Sequence, residues 1–193
     1  MFGRFILNLM FFKFLLICFM IHILSMIYIL GIDTNIIVAD FTDPKAPHKV
    51  IKELEQLNVD IGVLVNNVGM LGEHQMPFLE LDESTVIGMI NVNMLGATIL
   101  CHSILPKMKK RGKGAIINIS SIAAYFVAPY LAVYAATKHY MSAFTLAIAA
   151  EYADSGVDIQ CVEPGAVETA MTQYFDEVST LTFFTPLMEV KLS

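Results

Sequence analysis

SSIAAYFVAPYLAVYAATK runs from Ser120 to Lys138 and directly follows a short apolar run, GAIINI at 114–119. It sets Tyr134 and Lys138 four residues apart, with Ser121 thirteen residues before the tyrosine. On a helix, residues at i and i+4 share a face, so phenol and ammonium can look into one site. A phenol titrates near pH ~10 and is a poor base at neutrality. A cation a few ångströms away favours the phenolate, so the tyrosine can exchange a proton with a substrate oxygen. A serine hydroxyl from the end of the preceding strand can hold that oxygen. Alone, YxxxK is equally an ordinary helical pair.

Working outward, the chain alternates short apolar runs with helical periodicity. Asn35–Ala39 (NIIVA), Ile61–Val65 (IGVLV), Gly114–Ile119 and Val157–Val162 (VDIQCV) read as buried strands. Between them, Pro47–Leu57, a long segment capped by Asp82 or Ser84 and reaching Met108, and Ala132–Tyr152 read as helices. The order β-α-β-α-β-α-β with continuous apolar strands predicts a parallel sheet with helices on both faces. In such sheets ligands sit at the carboxyl ends of the strands. Asp40, Asn66–Gly69, Ser120–Ser121 and Pro164–Gly165 each fall at one of those ends.

The chain has 193 residues and a formal net charge of −6, with no basic patch interleaved with aromatics, so a nucleic-acid partner is not expected. The basic run Lys107–Lys113 reads as a solvated helix end. Three scattered cysteines and five scattered histidines form no ligand set, so no metal is expected and a reducing compartment fits.

The hydrophobic share of 56% is concentrated at the start of the chain. Phe14–Ile32 (FLLICFMIHILSMIYILGI) holds no Asp, Glu, Lys or Arg. As a helix it would span ~28 Å, close to a bilayer core of ~30 Å. We read residues 1–32 as an apolar N-terminal segment with a membrane-anchor helix, and 33–193 as the folded domain. A signal peptide and a buried core helix are the alternatives. Orientation is not legible, because Lys45, Lys49 and Lys52 balance Arg4 and Lys13.

Taken together, Asp40, NNVG at 66–69, Asn93 within NVN, Ser121, Tyr134-x-x-x-Lys138 and Pro164-Gly165 with Thr169 resemble the short-chain dehydrogenase/reductase family over roughly Asn35–Met171. The resemblance implies a Rossmann-like, doubly wound parallel sheet and a nicotinamide cofactor. It implies that Asp40 contacts the adenine ring, and that Asn67 and Gly69 line the adenosine ribose. Asn93 would serve catalysis by holding a backbone-bound water in the proton relay, at a helix kink. Ser121 would bind the substrate oxygen, Tyr134 would be the acid/base and also a cofactor contact, and Lys138 would bind the nicotinamide ribose and lower the tyrosine pKa. Pro164, Gly165 and Thr169 would shape the nicotinamide pocket. LVNNVGM, NVNMLGAT, GAIINISS, VYAATK and EYADSGVDIQCV are similar to the membrane-anchored branch of 17-beta-hydroxysteroid dehydrogenases and very-long-chain 3-oxoacyl-CoA reductases. That branch implies a lipid-like substrate, NADP(H) rather than NAD(H), and an endoplasmic-reticulum membrane. Homodimer pairing through the helices holding Asn93 and Tyr134 is a family expectation.

One departure is large. The family's opening strand and glycine-rich turn, TGxxxGxG, are not present: the only glycines before Gly62 are Gly3 and Gly31. That turn grips the cofactor pyrophosphate. The expected fold is therefore an incomplete Rossmann-like sheet with its first βαβ unit absent, leaving a gap where the central strand belongs. Two functions stay open: an active membrane-bound carbonyl reductase or alcohol dehydrogenase, or a truncated isoform or fragment that keeps the catalytic residues but holds cofactor poorly and has only a binding role or none.

Overall fold

The computed structural model describes residues 4–8, 35–72 and 75–165. Four strands form one parallel sheet in the order β1 (Arg4–Asn8), β2 (Ile61–Asn66), β3 (Gly114–Ile119) and β4 (Val157–Val162). Three of these are the strands expected from the apolar runs. Asn35–Ala39 is a correction: it is irregular, not a strand. Ile37 and Ala39 pack against the core, while Ile36 and Val38 stay exposed. β-branched residues favour a strand only where a neighbouring strand and a packed face receive them. Arg4–Asn8 is a second correction. It pairs in parallel with β2, Asn8 opposite Asn66, on the side away from β3, where a gap was expected.

The helices are α1 (Ala46–Gln56), α2 (Glu83–Ile90), α3 (Gly96–Arg111) and α4 (Ala132–Glu151). Between α2 and α3, Asn91–Leu95 forms a π-helical turn, so the long helix is continuous but widened at Asn93. Val50 and Leu54 of α1 join Leu100, Ile104 and Met108 of α3 in a core on Leu64 and Ile116. α4 reaches the same sheet face, where Thr145 accepts a hydrogen bond from Asn118 at 2.9 Å. The alternate strand residues Val63, Val65, Ala115 and Ile117 are only half-buried. Helices were expected on both faces; among the described residues they cover the Leu64–Ile116 face.

The basic helix end is only partly a solvated one. Arg111 donates to Asp60 at 3.1 Å and to the Ile61 carbonyl at 2.6 Å, tying the end of α3 to the start of β2. α3 then stops at Gly112 in the left-handed conformation, with φ 64°. Glu83–Arg111 as a whole is long and apolar enough to cross a membrane, but it is the core helix of this domain. Phe14–Ile32, Thr169 and the tail after Gly165 lie outside the described residues.

Candidate active site

The carboxyl ends of β2 and β3, the π-turn and the first half of α4 converge. Lys138 is 5% exposed, and its Nζ donates to the carbonyl of Ile119, the last residue of β3, at 3.0 Å. The ammonium lies 5.7 Å from the centre of the Tyr134 ring. Burial pulls Lys138 down from 10.5 to about 8. The Tyr134 phenol is pushed up by burial, and the Ser121 hydroxyl, its hydrogen-bond partner, acts the other way. The expectation was of a phenol lowered by Lys138; the larger influence in the free protein is burial, which keeps the phenol protonated.

Ser121 has extended backbone and caps the short turn Ile122–Ala124, its Oγ accepting from the Ala123 N–H at 3.2 Å. Its neighbour Ser120 points the other way. The Ser120 hydroxyl donates to the Lys138 carbonyl at 2.7 Å and lies 2.8 Å from the Ser142 hydroxyl. Ser120 thus fixes α4 on the strand end, and Ser121 is left facing Tyr134.

Asn93 sits at the centre of the π-turn, 3% exposed. Its Oδ1 accepts from the Met70 N–H at 2.7 Å, and its Nδ2 donates to the Met70 carbonyl at 2.8 Å and to Thr137 Oγ1 at 2.9 Å. The π-turn is what aims this side chain inward, and such bulges recur at functional sites. Gly69 immediately precedes Met70. A Cβ there would stand 3.6 Å from Lys138 Nζ and 3.9 Å from Asn93 Oδ1, so glycine leaves a hollow in front of the ammonium.

Asn67 is exposed in the loop after β2, beside this hollow in sequence. Asp40 stands apart on an exposed turn. It accepts from the Thr42 N–H at 2.9 Å and from the Thr42 hydroxyl at 2.7 Å, which hold its carboxyl below the usual range. Asn91 Nδ2 donates to the Thr42 carbonyl at 2.8 Å and so ties that turn to the π-turn. Pro164 is joined to the serine turn, its carbonyl accepting from the Ile122 N–H at 3.1 Å, and Gly165 follows. The described residues thus bring together Gly69, Asn93, Ser121, Tyr134 and Lys138, with Pro164 alongside.

Sequence reading missed a buried polar layer beneath the site. Asn66 Nδ2 donates to Asn118 Oδ1 at 2.7 Å and to Cys101 Sγ at 3.3 Å, and Asn118 passes on to Thr145. The asparagine inside the apolar run GAIINI was the available signal, since an amide facing a helix-covered core needs partners. Thr137 was missed too, one of the three unassigned positions between Tyr134 and Lys138.

A nicotinamide dinucleotide fits this arrangement at its ribose end. Lys138 offers further donors beside the Gly69 hollow, which suits vicinal hydroxyls. The sequence that follows β1, residues 9–13 (LMFFK), contains no glycine.

The model for the short chain dehydrogenase family matches residues 22–179. The human inactive hydroxysteroid dehydrogenase-like protein 1 is 39% identical over 141 residues, 73% of this chain and 42% of that protein. The bovine very-long-chain 3-oxoacyl-CoA reductase is 37% identical over 164 residues, 82% of this chain and 52% of that protein. The crystal structure of a gluconate 5-dehydrogenase from Burkholderia cenocepacia in complex with NADP and tartrate is 28% identical, with a TM-score of 0.64, over 75% of this chain and 55% of that one. The chain therefore spans about half the length of the curated relatives it matches.

Proposed function

The chain belongs to the short-chain dehydrogenase family, and on that premise we propose that it is an NAD(P)-dependent oxidoreductase interconverting a carbonyl and an alcohol on a lipid-like substrate, of the steroid or 3-oxoacyl-CoA class. The observation carrying this reading is the convergence of the Tyr134 phenol, the Ser121 hydroxyl and the buried Lys138 ammonium at one strand end.

In the reducing direction Ser121 holds the carbonyl oxygen and Tyr134 gives it the phenolic proton. Burial keeps that proton on the phenol until it is needed. Once it has left, the ammonium of Lys138 steadies the phenolate. A nicotinamide held there would supply the hydride to the carbonyl carbon in this direction, and would take it back in the reverse. Lys138 would receive its ribose, Asn67, Gly69 and Asp40 the adenosine half, and Pro164, Gly165 and Thr169 the nicotinamide side. NADP(H) is favoured by the resemblance to the membrane-anchored branch and by the NADP in the gluconate dehydrogenase structure. The same branch supports attachment to an endoplasmic-reticulum membrane through the apolar stretch Phe14–Ile32, outside β1, and a homodimer.

A second reading has its own support. The glycine-free sequence after β1 and the human relative whose name calls it inactive favour a form impaired in cofactor binding. Calorimetry of the full chain with NADPH and NADH separates the two. Cofactor binding, with turnover of a 3-oxoacyl or 17-oxosteroid substrate lowered about 10²- to 10⁴-fold by Tyr134→Phe, is expected. No binding at millimolar cofactor leaves the impaired form.

A further inference from the structure

We propose that Thr137 is a positioning residue that couples the Gly69–Met70 loop to the catalytic helix; this deepens the reading of the site given above and rests on it. Thr137 is 2% exposed, on α4 between Tyr134 and Lys138. Its hydroxyl donates to the Tyr134 carbonyl at 2.7 Å and accepts from Asn93 Nδ2 at 2.9 Å. The second hydrogen of that same amide goes to the Met70 carbonyl, and the amide oxygen takes the Met70 N–H.

The bookkeeping of this amide is closed. An asparagine has two amide hydrogens, and Asn93 spends one on Met70 and one on Thr137. Three segments meet on one carboxamide: the loop after β2, the π-turn and α4. Thr137 is the only link of the three that comes from the helix bearing Tyr134 and Lys138. Removing its hydroxyl strands a buried amide hydrogen, which then seeks another partner. The carboxamide can satisfy that hydrogen only by turning, and turning breaks one or both bonds to Met70. Since Gly69 forms the wall facing Lys138 Nζ, the loop's position sets the depth at which the ammonium is buried. Thr137 thereby acts on the ammonium through Asn93 without touching ligand.

Valine has the shape of threonine without its hydroxyl, and serine keeps the hydroxyl without the methyl. In the full chain, hydrogen exchange of the Met70 amide and the titration of Lys138 by NMR of the labelled amine are followed in wild type, Thr137→Val and Thr137→Ser. Thr137→Val is expected to speed Met70 exchange by about tenfold, the loss of one net hydrogen bond, and to move Lys138 upward toward its ordinary value as water enters. Thr137→Ser is expected to restore both. A structural defect alone would lower the melting temperature without moving the Lys138 titration selectively. Unchanged Met70 exchange and Lys138 titration in a folded Thr137→Val would overturn the coupling. So would a wild-type Met70 amide that exchanges as fast as a free loop amide, a measurement that stands if the valine variant does not fold. Neither readout uses cofactor, so failure to bind NADPH sinks the oxidoreductase reading and leaves this one standing.

Discussion

The ammonium of Lys138 donates to the carbonyl of Ile119 at 3.0 Å, while the carbonyl of Lys138 accepts from Ser120, the next residue after Ile119. The strand end thus grips the lysine from both sides. The buried cation is held by a backbone dipole rather than by a carboxylate, and its pKa falls to about 8.

That depression has a sign for stability. The unfolded lysine holds its proton up to 10.5, whereas the folded one releases it from about 8. Below pH 8 both states are charged and folding bears the cost of burying the charge. As pH rises above 8 the folded state sheds the proton first and stability increases. The window read cleanly is pH 8 to 9. Above 9 the buried Cys101 thiol, pushed up to about 11, lowers stability with rising pH. Urea titrations of wild type are expected to show higher stability at pH 9 than at pH 8, and Lys138→Met is expected to remove that rise.

Tyr134→Phe is expected to lower turnover by about 10²- to 10⁴-fold, the usual range for a general acid/base. Cofactor affinity should hold, because Lys138 and Gly69 are untouched. Pre-steady-state kinetics with NADPH check this; a loss confined to KM would remove Tyr134 from the proton step.

Gly69→Ala separates stability from ligand binding. Its Cβ would make ordinary contacts at 3.6 Å with Lys138 Nζ and 3.9 Å with Asn93 Oδ1, so the melting temperature should stay within a few degrees. The methyl would fill the hollow before the ammonium, so cofactor affinity is expected to drop at least about tenfold, roughly the cost of one obstructed hydrogen bond to a charged group. Scanning calorimetry and cofactor titration on the same sample decide it.

Asn118→Ala should destabilise the fold by about 2 to 4 kcal/mol, since it leaves Asn66 Nδ2 without its 2.7 Å acceptor and Thr145 without its 2.9 Å donor in a core where Asn118 is fully buried. Chemical denaturation measures the loss, and a cost under 0.5 kcal/mol would contradict the role given to this layer.

The pairing of β1 with β2 constrains any membrane attachment. Both strands belong to one sheet, so a single crossing between residues 8 and 35 would put them on opposite sides of a bilayer. Tags placed at the N-terminus and in the Ala153–Ser155 turn are therefore expected to report the same side in a protease-protection assay. Opposite sides would rule out the β1–β2 pairing.

Sequence by itself determined the family and most of the placement of the site's side chains. Strand, helix and turn signals at β2, β3, β4 and α4 are local, and they put Ser121, Tyr134 and Lys138 at strand ends and on one helix face without any fold in hand. Their spacing, with NNVG and Asn93, carried the family. Tertiary structure decided what depends on partners. Asn35–Ala39 has the composition of a strand but no neighbour to pair with, whereas Arg4–Asn8 found one in β2. It also decided the electrostatics: burial, which no spacing reveals, raises Tyr134 and lowers Lys138 in the free protein. Thr137 is legible in the same way only after folding. Its hydroxyl matters because α4 brings it to an asparagine forty-four residues earlier in the chain, and a hydrogen bond between distant segments leaves no periodic trace in sequence.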